Sequence, residues 1–273
     1  MSISQPLAPP LEPDALRHVP GVLGEISRER ARDYHGAAWQ LELNSPSARP
    51  SFQQALATAE LAIIAEVKRS SPSQGAIAPI VPSEAAQAYQ RGGAAALSVL
   101  TEMRHFGGAL EHLEQVAAVS SLPILRKDFT VHPLQLYEAK AAGASAVLLI
   151  VAVLGEHTAA YLQLAQTLGL DALVEVHDSA ELQCALTAGA QLIGVNNRDL
   201  RTLEIDLSNA PRLIAEARAE GFSGTLVAES GYKQAEELQA LQGLADAVLI
   251  GTSLVGSGKL EQALQQLRSE LSS

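Results

Sequence analysis

One pattern governs what this chain can fold into. From Ala62 onward, short apolar runs recur at intervals of roughly 20 to 33 residues, each too short for a helix. They are Ala62–Val67, Ala95–Leu100, Pro123–Leu125, Ala146–Val151, Ala172–Val176, Leu192–Val195, Thr225–Ala228 and Ala247–Ile250. Val, Ile, Leu and Ala fill them without alternating with polar residues. Such runs suit strands covered on both faces, and so a parallel sheet. Helical periodicity fills the gaps, as in Ser83–Arg91, Pro133–Ala142, Glu156–Leu168, Asp178–Ala188 and Gln234–Gln242. Gly93, Gly143 and Gly189 each stand just before a strand, where glycine supplies the left-handed conformation that ends a helix. Eight strand–helix units in unbroken alternation predict an α/β fold of the (β/α)8 TIM-barrel type. A doubly wound open sheet is the alternative. It usually has fewer strands and a glycine-rich first turn, and no G-x-G-x-x-G follows the first strand here.

Residues 1–61 follow another rhythm and are expected to form an extension packing on a barrel of residues 62–273. Residues 1–20 read as Pro-rich and extended. Val22–Leu43 reads as a helix with Leu23, Ile26 and Arg30 at helical spacing, and Ser45–Pro50 as a break. Ser51 is the expected N-cap of a short helix through Glu60. Trp39 is read as packing.

Composition narrows the function classes. Hydrophobic residues make up 47% of the 273, enough for a large core, and aromatics only 4%, which suits helices packed on a sheet. The net charge of −11 repels nucleic acid and anionic membranes, so any anionic ligand must be held locally. The longest apolar run, Ala146–Leu154, is far short of the ~20 residues of a membrane helix. The N-terminus lacks the basic-then-apolar pattern of a signal peptide, so a soluble, cytoplasmic protein is expected. The single cysteine, Cys184, excludes an internal disulfide and reads as a small core hydrophobe.

A barrel carries its chemistry at the C-terminal ends of its strands. The polar residues there are Glu66 and Lys68, Thr101 and Glu102, Lys127 and Asp128, Glu175, Asn196 and Arg198, Glu229 and Ser230, and Gly251 with Thr252. Burying Glu175 between Val174 and Val176 would cost several kcal/mol without a partner. Acids and bases gathered at one mouth can pair with one another, either as structural ion pairs or as a reactive site. Glu229-Ser230-Gly231 and Gly251-Thr252-Ser253 close the last two strands, where many barrels hold a phosphate on backbone N–H groups. Lys68 and Lys127 add positive charge. The seven histidines show no metal-ligand spacing, and no metal site is expected.

The stretch Ile64-Ala-Glu66-Val-Lys68-Arg-Ser-Ser71-Pro72-Ser73 resembles the first-strand signature of the indole-3-glycerol phosphate synthase family. The similarity continues through Leu97–Glu102, Pro123–Phe129, Leu173–Asp178, Ile193–Leu200, Val227–Gly231 and Leu249–Leu254. Arg126 and residues 78–82 fit the pattern less well.

The resemblance implies a cofactor-free carboxy-lyase of tryptophan biosynthesis. Its substrate would be 1-(2-carboxyphenylamino)-1-deoxyribulose 5-phosphate, cyclised to indole-3-glycerol phosphate with release of CO2 and water. It implies Lys127 as general acid, with Lys68 a second candidate, and Glu175 as base or acid–base shuttle. Glu66 and Glu229 would orient substrate and lysines, and Asn196 would hydrogen-bond the reacting region. Ser230, Gly231, Gly251 and Thr252, with Lys68, would hold the phosphate. Ser71 would close over the site from the loop after the first strand. Phe106, Phe129, Pro72 and Leu148 would wall the anthranilate ring, and Arg198 would face its carboxylate or form an ion pair. Partners reduce to the small sugar phosphate and, at most, weak contact with neighbouring enzymes of the pathway.

Two alternatives remain at this stage. One is another sugar-phosphate barrel, such as an isomerase with a Cys/Asp pair, which the helical placing of Cys184 disfavours. The other is a non-catalytic phosphometabolite-binding barrel, for which both lysines and Glu175 would be superfluous.

Overall fold

In the computed structural model, residues 8–37, 49–57, 60–71, 75–76, 80–251 and 259–271 are described. Eight parallel strands follow one another: β1 (Ala62–Val67), β2 (Ala96–Leu100), β3 (Ile124–Lys127), β4 (Ala146–Ile150), β5 (Asp171–Val176), β6 (Leu192–Asn196), β7 (Thr225–Glu229) and β8 (Ala247–Ile250). Each pairs with its sequence neighbours, and β8 returns to β1 through Ala62↔Ala247 to Ala65↔Ile250. The sheet is therefore a closed barrel without free edges, as the uninterrupted alternation predicts. An antiparallel ribbon pairs Ser70–Ser71 with Gly75–Ala76 after β1.

Ahead of the barrel lie α1 (Gly21–Tyr34) and α2 (Phe52–Leu56). Between and after the strands come α3 (Pro82–Gly92), α4 (Leu110–Val119), α5 (Leu134–Ala141), α6 (Val151–Leu154), α7 (Thr158–Thr167), α8 (Ser179–Thr187), α9 (Asn209–Ala219), α10 (Ala235–Gln239) and α11 (Leu260–Leu271). Gly93, Gly143 and Gly189 all have φ between 80° and 90°, the conformation their place before a strand calls for. The nine-residue apolar run divides: Ala146–Ile150 is β4 and Val151–Leu154 a single helical turn. Apolarity alone does not mark that change of period.

The pre-barrel segment differs from expectation. Residues 13–18 form turns rather than an extended strand, and Ala8, Leu11, Leu16 and Val19 are buried. Leu11 N–H donates to Val131 O, anchoring the segment on the barrel. α1 stops at Tyr34, where Gly36 turns the chain at φ 71°; Trp39 and residues 38–48 lie outside the described residues. Ser51 does cap α2, its hydroxyl accepting from Gln54 N, but the helix ends at Leu56. Cys184 is half-buried, with Sγ 3.7 Å from Gly155 O. No helix among the described residues is long and apolar enough to cross a membrane.

Candidate active site

Strand geometry decides which strand-end side chains meet. Alternate residues face opposite sides. Glu66 and Lys68, two apart, therefore point to the same side at the end of β1, and the Lys68 ammonium lies 2.5 Å from Glu66 Oε1. On β3, Lys127 points into the mouth, while Arg126 and Asp128 on either side of it point away. Lys127 Nζ donates to Glu175 Oε2 from β5 (2.8 Å) and to Glu229 Oε2 from β7 (2.6 Å). Asn196 Nδ2 donates to Glu175 Oε1 at 3.2 Å, and Asn196 Oδ1 accepts the N–H of Arg198. Four strands thus supply one connected cluster.

Two glycines make room for it. A Cβ on Gly194 would come within 2.0 Å of Glu229 Oε1, and one on Gly251 within 2.7 Å of Glu66 Oε1. Small residues on β6 and after β8 give the carboxylates their space, and Gly194 sits opposite Glu175 in the register.

The electrostatics follow from burial and proximity. Glu66, Glu175 and Glu229 are all buried. Burial works against the Lys127 ammonium, but the charges of Glu175, Glu229 and Glu66 outweigh it and hold the lysine above its ordinary range. Glu229 is pushed up to about 7, first by burial and then by Glu175, against the pull of Lys127. Its Oε1 is buried and finds no hydrogen-bond partner among the described residues.

A cavity of about 380 Å³ opens above this cluster. Every residue expected to act on the reacting atoms lines it, namely Glu66, Lys68, Lys127, Glu175, Asn196 and Glu229, and so does Ser230 from the expected phosphate rim. Phe106, Phe129, Leu148, Arg198, Gly231 and Gly251 line it too. The Phe106 and Phe129 rings stand 5.9 Å apart at 37°, forming one apolar wall. Arg198 sends Nη1 to Leu203 O at 2.9 Å, and burial lowers its pKa. Ser230 has φ 66° and Gly231 φ 95°, so the chain turns sharply at the end of β7. Pro72 and Thr252, and the side chain of Ser71, lie outside the described residues.

Three other strand-end polar residues do not join the cluster. Thr101 donates to Asp128, and Glu102 accepts the N–H groups of Arg104, His105 and Phe106, shaping the loop after β2. Asp128 binds Arg30 Nη2 (2.7 Å) and Arg126 Nη2 (3.0 Å) behind β3. Sequence reasoning also passed over part of the cavity wall. Val22, Leu23 and Ile26 of α1 line it, as do Leu200, Leu203 and Ile205 after β6 and Lys233 after β7. The Leu23, Ile26 and Arg30 spacing was the available signal, since that helical face needs something to cover. Lys233, three residues past Ser230, was the other.

Comparison with known proteins decides the family. The family model for indole-3-glycerol phosphate synthase matches residues 19–267. The chain belongs to the indole-3-glycerol phosphate synthase family. A synthase of that name from Deinococcus radiodurans is 56% identical over 93% of this chain and 97% of its own. Those from Mycolicibacterium smegmatis and Rhodococcus jostii are 50% and 47% identical, covering 76% and 90% of this chain and 76% and 91% of theirs. Among solved structures, thiamine phosphate pyrophosphorylase from Pyrococcus furiosus matches with a TM-score of 0.57 at 15% identity, over 78% of this chain and 96% of that one. That likeness is one of fold alone. Family members are carboxy-lyases of tryptophan biosynthesis acting on a small sugar phosphate, and their match extends through α1, the helix that covers the cavity.

Proposed function

We propose that this mouth cyclises and decarboxylates 1-(2-carboxyphenylamino)-1-deoxyribulose 5-phosphate, the reaction that goes with the family, through the following division of labour. The ring carbon bearing the carboxylate attacks the ribulose carbonyl carbon, and Lys127 protonates the carbonyl oxygen. The carboxylate then leaves as CO2 and the ring regains its aromaticity. In the dehydration that follows, Lys68 or Lys127 gives a proton to the departing hydroxyl while Glu175 takes one from the neighbouring carbon. The observation that carries the reading is Lys127 held between Glu175 and Glu229 at the floor of a cavity with an apolar wall.

The carboxylates keep Lys127 charged despite its burial, as a proton donor requires, and Glu229 and Glu66 fix the two lysines in place. Asn196 orients Glu175. The turn at Ser230 and Gly231, with Gly251 and Lys233 nearby, supports reading this rim as the phosphate site; Thr252 belongs to the same proposal. Phe106, Phe129, Leu148 and the α1 residues supply the surface for the anthranilate ring, and Arg198 on the same cavity wall is assigned to its carboxylate; Pro72 and Ser71 belong to the same proposal. Holding a flexible chain folded over its own ring contributes up to roughly 7–11 kcal/mol in favourable systems. We place residues 1–61 as an extension serving the barrel, and the enzyme in the cytoplasm. The test is to mix purified protein with the ribulotide and follow indole fluorescence; failure to form product at high enzyme concentration would reject the reading.

A further inference from the structure

A second cavity of about 200 Å³ lies against the first and shares Glu175, Asn196 and Arg198 with it. Its far side carries His177, Glu181 and Asp199, and its outer end is formed by His18 and Arg201, both exposed. The function proposed above uses the shared wall and leaves His177, Glu181 and Asp199 on the far side without a role.

The proton balance of the reaction gives them a purpose. Ring closure places one proton on the carbonyl oxygen, and dehydration places another on the departing hydroxyl. One returns when the neighbouring carbon is deprotonated. CO2 leaves from a carboxylate and removes none. Each turnover therefore takes up one proton from solvent, while the bound substrate fills the main mouth.

We propose that the chamber is the route by which that proton enters, with His177 and Glu181 passing it from solvent to Glu175 and onward to Lys127. The inference rests on the roles given above to Glu175 and Lys127.

The geometry supports it at three points. His177 Nδ1 lies 2.8 Å from Asn196 O, and since a carbonyl only accepts, Nδ1 carries hydrogen. Nε2 is then the nitrogen that takes up and releases a proton, with Asp199 Oδ2 at 3.9 Å to stabilise the charged ring. Glu181 receives the N–H of His177 at 2.7 Å, which fixes its carboxyl on the chamber wall. Burial, reinforced by Asp178 and Glu175, lifts Glu181 to about 7, so its carboxyl can both hold and give up a proton near neutrality. Asp199 and Asp206 after β6 and Glu181 of α8 interact electrostatically with the imidazole, and Glu175, Arg198, Arg201 and His18 share the chamber wall with it. With Glu175, His177, Glu181, Asn196, Arg198 and Asp199 on its walls, a space of this size accommodates several waters, each needing about 30 Å³.

Two substitutions separate relay from scaffold. His177→Asn keeps a donor for Asn196 O and loses Nε2. Glu181→Gln keeps an acceptor for His177 N–H and loses the titrating group. We expect single-turnover indole formation with excess enzyme to stay within about twofold of wild type, because the proton already on Lys127 serves the first cycle. Steady-state kcat falls at least about tenfold. Small buffer acids such as imidazole, raised at constant pH and ionic strength, restore kcat in the variants and leave wild type unchanged. Steady-state kcat within twofold of wild type in both variants overturns the proposal. So does an equal loss in single-turnover and steady-state rates without buffer rescue, which marks a structural role. The roles of Lys127 and Glu175 fail on a different result: single turnover that survives their own substitution.

Discussion

Two ionic clusters meet at the end of β3, and the strand's pleat assigns them opposite work. Facing outward, Arg126 and Asp128 join Arg30 and Tyr34 of α1 and Glu138 of α5. Through Arg30 the network also takes in Asp33 and its partner Arg104, so three cations balance three anions, and Asp128 alone accepts from Arg30, Arg126, Thr101 and the Phe129 N–H. Tyr34 completes it, donating to Glu138 Oε2 at 2.5 Å and stacking on His132. Facing inward, two lysines stand against three glutamates, and Glu229 keeps an unmatched oxygen. The outer cluster is neutral, and it runs out to the surface through Asp33 and Arg104. The inner one is short of positive charge, so its carboxylates hold the proton on Lys127 against burial, while burial first and Glu175 second lift Glu229 to about 7. Burial and ion pairing are common to both, so neither by itself marks a reactive site. What sets the inner cluster apart is its unbalanced charge count and its open face on the cavity.

The comparison can be broken most directly at its inner half. Lys127→Ala should lower kcat by about 10²–10⁴-fold while leaving most substrate affinity, measured by indole fluorescence and by substrate binding. Equal losses in binding and turnover would make Lys127 a binding group.

The outer half is tested by Arg30→Met. Removing one member of a buried ion pair costs about 3–5 kcal/mol, and because Arg126 still serves Asp128 the loss should fall toward the lower end. Urea unfolding measures it, and turnover per folded molecule should fall far less than in the Lys127 variant.

A smaller effect links packing to the inner cluster. Gly194→Ala drives a methyl into Glu229 and should cost about 1–3 kcal/mol, with a loss of kcat, because the carboxylate must shift off Lys127.

A further test concerns pH. Glu229 keeps its proton in the folded state up to about 7, whereas in the unfolded chain it ionises near 4.5. The folded state binds more protons in that window, so this group's contribution to stability falls as pH rises from about 4.5 to 7. Glu229→Gln should flatten that decline in unfolding experiments run across the same range.

The barrel was legible because double-sided burial leaves a simple mark: unalternating runs of Val, Ile, Leu and Ala with glycine at each return. Strand boundaries shifted by a residue or two where a polar group ends the strand, as with Lys127, Asn196 and Glu229. The convergence of Glu66, Lys127, Glu175 and Glu229 was legible because charge is costly in such runs. Less so was which way a strand-end residue points. Thr101, Glu102 and Asp128 share the position of the mouth residues and serve loops and α1 instead. Arg126, which fits the family pattern poorly, is the centre of the outer network, and no local pattern announces a partner such as Tyr34, distant in the chain. The α1 face of Leu23, Ile26 and Arg30 was visible as a periodicity, but what it covers is set by tertiary packing.

Ser230 holds a left-handed backbone, a conformation that costs a residue with a side chain about 1–2 kcal/mol relative to glycine. Anyone engineering a hardier catalyst from this scaffold would reach first for glycine at that corner and would be rewarded with a higher melting point. The same change would remove the hydroxyl that this corner presents to the cavity rim, so under the phosphate-site proposal durability and turnover pull against each other at this one residue.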